Sequence, residues 1–156
     1  MSVLGVTNEF LSHHSMFGGL TDEQLDITRT FLHTETFTSG ESVLVQGEAN
    51  NRVYFIIKGS VVVRKKALFE RELTTLSVGD SFGEMELIDI QNCAASIVCL
   101  SDVVTVTLSH YDLHRLYTAH PEIFTMIIMN LARDISRRLR ATNDLLAMVN
   151  KVDGET

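Results

Sequence analysis

The sequence is poor in proline, with a single one, and carries only two cysteines. No apolar run approaches the ~18 residues a membrane-spanning helix needs, so no membrane span is expected. The opening MSVLGVTNEF lacks the basic start and long apolar stretch of a secretory signal. Cys93 and Cys99 would lie about 20 Å apart in one extended segment, too far for a disulfide. Reduced thiols fit a cytoplasmic protein. Positive charge is the sharpest shortage. Lys and Arg number 13 against 20 Asp and Glu, a formal net charge of −7. Between Arg71 and Arg115 there is no Lys or Arg, whereas Glu72, Asp80, Glu84, Glu86, Asp89, Asp102 and Asp112 all fall there. Such a chain is ill suited to nucleic acid or an anionic membrane, and an anion held by that segment alone meets a field of the wrong sign.

What is present suffices for one core. The 156 residues are 45% hydrophobic and 21% charged, the balance of a single globular domain. Thr21-Asp-Glu-Gln is a capping-box pattern, and Leu25, Thr28, Phe31 and Leu32 follow at helical spacing, which predicts a helix over 22–33. From Thr34 to Leu108 the period changes to two. Runs at Glu35–Phe37, Ser42–Val45, Tyr54–Ile57, Val61–Arg64, Glu72–Leu76, Ser96–Leu100 and Val103–Leu108 are separated by turn clusters such as Lys58-Gly59 and Val78-Gly79-Asp80. Short strands at this spacing, with no crossover helix between them, predict an antiparallel barrel or sandwich.

Ser109 with Asp112 marks the start of a helix over Tyr111–Ala119, and His120-Pro121 ends it and opens another. That last helix is expected to run to Asn150, roughly 45 Å at 1.5 Å per residue. Ile128, Ala132, Ile135, Leu139, Thr142, Leu146 and Val149 follow a 4-3 spacing along it. The first two turns are expected to pack on the barrel; beyond Leu139 the stripe outruns it and predicts a homodimer seam, with Thr142 at or near it.

Phe82-Gly83-Glu84-Met85-Glu86-Leu87-Ile88 lies between strands and leads to Cys93-Ala94-Ala95-Ser96. A glycine beside an acid and a short helical turn exposes backbone N–H groups, the makings of a small anion site. The order of the parts is more specific. Leu-Thr-x-Glu-Gln-Leu, Ser-Gly-Glu, Val-Gln-Gly-Glu, Tyr-Phe-Ile-Ile-Lys-Gly-Ser-Val-Val-Val, Gly-Asp-Ser-Phe-Gly-Glu-Met, Ala-Ala-Ser and a long last helix together resemble the cyclic-nucleotide-binding domain family, over about residues 16–150.

The resemblance implies a mainly β fold with α: an eight-stranded antiparallel jelly-roll barrel with an N-terminal helix and a long C-terminal helix. It implies a regulatory domain whose ligand is a cyclic nucleotide. Gly83 and Glu84 would meet the phosphate edge and the ribose hydroxyl, and the N–H groups of Met85 and Glu86 would face the phosphate. Val63 and Leu73 match positions that wall the base, Thr142 and Asn143 those where the last helix offers polar groups. Ala94 is read as the place where a Thr hydroxyl favours guanine, which makes cyclic AMP the expected ligand, and Ala95 completes the cassette.

The cassette also departs from the family. Where the family has Pro-Arg-Ala-Ala-Thr, this chain has Asn92-Cys93-Ala94-Ala95-Ser96, so Cys93 replaces the phosphate-binding Arg. Losing the partner of a buried charge typically costs about 2–5 kcal/mol. Glu86 replaces a small residue, and Asp89-Ile90-Gln91-Asn92 lacks the usual Gly and Pro. Weak, altered or lost nucleotide binding is therefore expected. The alternatives are a working cyclic AMP domain whose phosphate charge comes from Arg52 or an arginine of the last helix, and an interaction domain with no nucleotide ligand.

No Ser/His/Asp arrangement, Walker loop or zinc spacing is visible, so no catalytic residue, metal or cofactor is assigned and the chain is read as a non-enzyme. His110 and His114 at i, i+4, and His13-His14, are read as ordinary histidines rather than ligands. The expected layout is an N-terminal segment over 1–15, the barrel with flanking helices over 16–120, the dimerisation or lid helix over 121–150 and a tail over 151–156. No DNA-binding domain is expected in this chain, and its output would pass to a separate protein or to the rest of a longer one.

Overall fold

Residues 5–154 are described by the computed structural model. Two short elements open the chain, α1 (Asn8–Ser12) and a 3-10 turn (Ser15–Phe17), followed by α2 (Asp22–Arg29). The Thr21 box forms in full: its hydroxyl accepts the Gln24 N–H at 3.2 Å and the Gln24 side chain accepts the Thr21 N–H at 3.0 Å. The helix is shorter than its periodicity predicts. It stops at Arg29, because the chain must turn to bury Phe31 and Leu32 and enter β1 (His33–Phe37). Val6 and Leu11 are also buried, so the core begins within the N-terminal segment.

Seven further strands follow: β2 (Ser42–Leu44), β3 (Arg52–Lys58), β4 (Val61–Lys66), β5 (Glu70–Leu76), β6 (Ser81–Phe82), β7 (Ser96–Cys99) and β8 (Val103–Ser109). They form two four-stranded antiparallel sheets, ordered β1-β8-β3-β6 and β2-β7-β4-β5, the jelly-roll arrangement. The strand absent from the periodic runs is β6, whose two residues are too few to show a period.

β3 reveals how the layers stack. Val53 and Phe55 face a helical core with Leu11, Phe17, Leu25, Leu116 and Ile127, while Tyr54 and Ile56 face the barrel interior with Phe82, Ile97 and Cys93. Alternate side chains of one strand thus seed two cores, and the strand is apolar throughout because both faces are covered. Inside the barrel the rings of Tyr54 and Phe82 stack with centroids 4.9 Å apart.

Between β6 and β7 lies α3 (Glu84–Asp89); after β8 come α4 (His110–Ala119) and α5 (Pro121–Asp153), with Pro121 in the first turn of the latter. α5 is buried through Ile123, Ile127 and Leu131. Asn130, also buried, donates to the carbonyls of Met16 at 3.1 Å and Gly18 at 2.8 Å and so fastens the helix to the N-terminal turn. Beyond Leu131, 22 residues of helix extend for roughly 33 Å. Ile135, Leu139, Leu146 and Val149 are exposed there, with Leu139 at 59%. No described helix is long and apolar enough to cross a membrane.

Candidate ligand-binding site

Gly83 ends β6 and begins α3 with φ +84°, the left-handed region. A Cβ there would stand 2.6 Å from the Arg52 carbonyl and 2.9 Å from Asn50 Nδ2. Both belong to a turn held by its own bonds: Asn50 Nδ2 donates to the Arg52 carbonyl at 2.8 Å, and the Arg52 N–H to Asn50 Oδ1 at 3.2 Å. Glycine is therefore required by conformation and by space. It delivers α3 across the mouth of the barrel, where Leu87 anchors in the helical core.

Glu84, next in line, is 5% exposed. Arg138 of α5 donates to its Oε1, and its Oε2 is buried without a hydrogen-bond partner among the described residues. A buried carboxylate oxygen without a protein partner costs energy unless a donor meets it. The two residues line one end of a cavity of about 400 Å³, within the range of small-molecule sites. Its walls are Leu44, Val63, Thr74, Leu76, Phe82 and Ile97, and its other end holds Met85, Glu86, Ala94 and Ala95.

Seven of the eleven residues that the resemblance singles out thus share one cavity: Val63, Gly83, Glu84, Met85, Glu86, Ala94 and Ala95. Leu73 lies apart. In the β4–β5 pairing Val63 opposes Thr74 and Arg64 opposes Glu72, which leaves Leu73 in a bulge, 58% exposed, while Thr74 takes the lining place. Thr142 and Asn143 are exposed on the free part of α5, and the Thr142 hydroxyl donates back to the Arg138 carbonyl at 2.9 Å.

Cys93 points the other way from a ligand. It is 3% exposed, and its side chain belongs to the barrel core with Leu44, Tyr54, Phe82 and Ile97. Its N–H donates to the Glu48 carbonyl at 2.8 Å and its carbonyl accepts from the Gly47 N–H at 2.9 Å, which fixes the turn. Burial first, then the Glu86 and Glu48 carboxylates, push the thiol pKa up, which favours the neutral thiol over the thiolate. Both cysteines are free.

At the far end, Glu86 Oε1 accepts the Ala94 N–H at 3.4 Å. A backbone donor of the cassette thereby faces a carboxylate of the chain itself. The Ser96 hydroxyl accepts the Gln46 N–H at 2.9 Å outside the cavity lining, whereas Ala94 lines the cavity and brings no hydroxyl to it. Of the two external sources of charge foreseen, Arg52 is taken by Glu35, and Arg138 reaches the cavity. Arg138 is off the apolar stripe and is one of four arginines in its stretch, so spacing alone does not single it out.

Other candidates have simpler accounts. His14 caps the 3-10 turn, its Nδ1 accepting the Met16 N–H at 3.1 Å and its Nε2 lying 3.0 Å from Ser81 Oγ. Burial holds its pKa below the usual value, so it is neutral in the fold. His110 and His114 border an apolar groove with Leu113, Tyr117 and Phe124, and no group of three metal-ligating side chains occurs among the described residues.

A jelly roll with a carboxylate-bearing turn across its mouth and a long helix reaching back to that carboxylate is the architecture of a regulatory domain of the cyclic nucleotide-binding type. The chain belongs to the cyclic nucleotide-binding domain family, which matches residues 34–120. It is 30% identical over 142 residues to the CRP-like cAMP-activated global transcriptional regulator of Mycobacterium tuberculosis, spanning 90% of this chain and 62% of that protein. It is likewise 30% identical over 137 residues to the cyclic AMP receptor protein of Thermus thermophilus, spanning 85% and 62%. The crystal structure of Thermus thermophilus catabolite activator protein superposes with a TM-score of 0.79 at 28% identity, covering 87% of this chain and 63% of that one. The chain thus spans less than two thirds of the length of these relatives.

Proposed function

We propose that the chain is a non-enzymatic regulatory module that binds a small ligand in the barrel and reports it through α5, with affinity for ordinary cyclic nucleotides weakened or lost. One observation carries the reading: the buried Glu84 is held by an arginine of the projecting helix on one oxygen, and its second oxygen has no partner among the described residues. A ligand hydroxyl on that oxygen competes for or reinforces the Arg138 bond, so pocket chemistry and helix position are linked.

The sugar end suits a cyclic nucleotide and the phosphate end does not. A phosphodiester beside Glu86 meets a like charge, Cys93 offers only a neutral thiol turned into the core, and Arg138 is already engaged by Glu84. A single unit charge repelled at 4 Å is worth about 4 kcal/mol at an effective dielectric of 20, roughly a thousandfold in affinity. Calorimetric titration with cyclic AMP and cyclic GMP is expected to show no saturation at micromolar concentration; such saturation by either would overturn the weakened binding.

The exposed apolar run on α5 supports a homodimer through that helix, in a cytoplasmic setting with a separate output partner or further chain. Light scattering should give twice the chain mass for the parent and the monomer mass for Leu139→Asp. A monomeric parent would sink the dimer.

A further inference from the structure

We propose that the cavity takes an uncharged ribonucleoside rather than a cyclic nucleotide, with Glu86 serving as a built-in anion at the end where a phosphate would lie. This rests on the reading of the cavity as a ligand site and names the ligand class. The lining groups set the demands. Glu84 presents one buried, unpartnered carboxylate oxygen and so asks for hydroxyl donors. Glu86 lines the same cavity at the far end of α3's first turn, already engages the nearest backbone donor, that of Ala94, and keeps its other oxygen as an acceptor. Among the described residues the only lining cation, Arg138, is paired with Glu84. Between the two acids the walls are apolar or small, with Val63, Thr74, Leu76 and Ile97 on the sheet side.

A fitting ligand therefore carries hydroxyl donors towards two carboxylates, a flat weakly polar body for the sheet, and no negative charge. A ribonucleoside has these parts. Its 2′ and 3′ hydroxyls meet Glu84, its 5′ hydroxyl meets Glu86, and its base lies against the sheet. In a 3′,5′-cyclic monophosphate the 3′ and 5′ oxygens are both esterified, so no donor remains for Glu86 and an anion is brought against it. Selection thus comes from an added repulsive group as much as from an attractive one.

The test is a titration of the whole chain, followed by amide NMR shifts, with adenosine, guanosine, cyclic AMP and cyclic GMP. At least one nucleoside is expected to shift cavity amides and bind at least tenfold more tightly than the cyclic monophosphate of the same base. Its 2′-deoxy form should bind at least tenfold more weakly, and Glu86→Ala should narrow the nucleoside preference at least threefold. Cyclic monophosphate binding as tight as, or tighter than, its nucleoside overturns the inference and leaves the ligand-module reading standing. An unchanged preference in Glu86→Ala overturns the role of Glu86. No binding by any of the four overturns the nucleoside inference and leaves the ligand-module reading, which names no nucleoside, standing.

Discussion

At one end of the cavity Gly83 and Glu84 keep the family's residues and give them a fixed geometry: a left-handed glycine without room for a Cβ, and a buried carboxylate gripped from α5. At the other end the corresponding positions have been rebuilt. The thiol of Cys93 packs inward where a guanidinium would have pointed outward, and Glu86 approaches the Ala94 N–H. The contrast teaches that a cassette can keep its fold and its contact with a helix while its charge is reversed. What preserves the fold is the backbone's need for glycine and the apolar anchors; what recognises an anion is a separate set of side chains, free to change.

Substitutions at both ends sharpen the contrast. Cys93→Arg should not simply restore the family's chemistry. A guanidinium forced into the barrel core is expected to cost about 4 kcal/mol in urea unfolding, the magnitude of an unpaired buried charge. A stable variant that also gains micromolar cyclic AMP binding would show that the loop can turn the side chain outward. Gly83→Ala should lose about 3 kcal/mol, from the positive φ and the approach to the Arg52 carbonyl; a loss below 1 kcal/mol would mean that the turn relaxes easily. Arg138→Ala strips Glu84 of its partner, but the arginine is 57% exposed and its contribution is screened. About 1 kcal/mol is expected, checked by the same unfolding curve, with a larger effect on the order of α5 read by hydrogen exchange. Ile90 caps α3 with φ +57°, an unfavourable conformation for a β-branched residue. Ile90→Gly should therefore raise stability by about 1 kcal/mol, and a fall would show that its side chain packs usefully.

The Gly83-Glu84 end was legible because a motif with a steric requirement constrains the residue types themselves. So were the capping box at Thr21, the proline start of α5 and seven strands, each of which rests on local chemistry. What stayed hidden depends on distance along the chain or on register. The bulge that ejects Leu73 depends on how β5 pairs with β4, and a period-two pattern is blind to one extra residue. The 4-3 stripe of α5 does not mark Asn130, a polar residue buried because the N-terminal turn offers it two carbonyls. That Cys93 stood in place of an arginine was plain; that it turns towards Tyr54 and Phe82 was not, since residue type does not fix side-chain direction.

The fastening of α5 at Asn130 also sets a mechanical ratio. Taken as a rigid rod hinged there, the helix carries Arg138 about 12 Å from the hinge and its last residues about 34 Å away, at 1.5 Å per residue. A displacement of Arg138 by about 1 Å, the scale of one hydrogen bond exchanged at Glu84, thus swings the free end by about 3 Å. That is more than half of a helical turn. Under the proposed function the projecting helix is in this sense a threefold amplifier whose input is a single carboxylate.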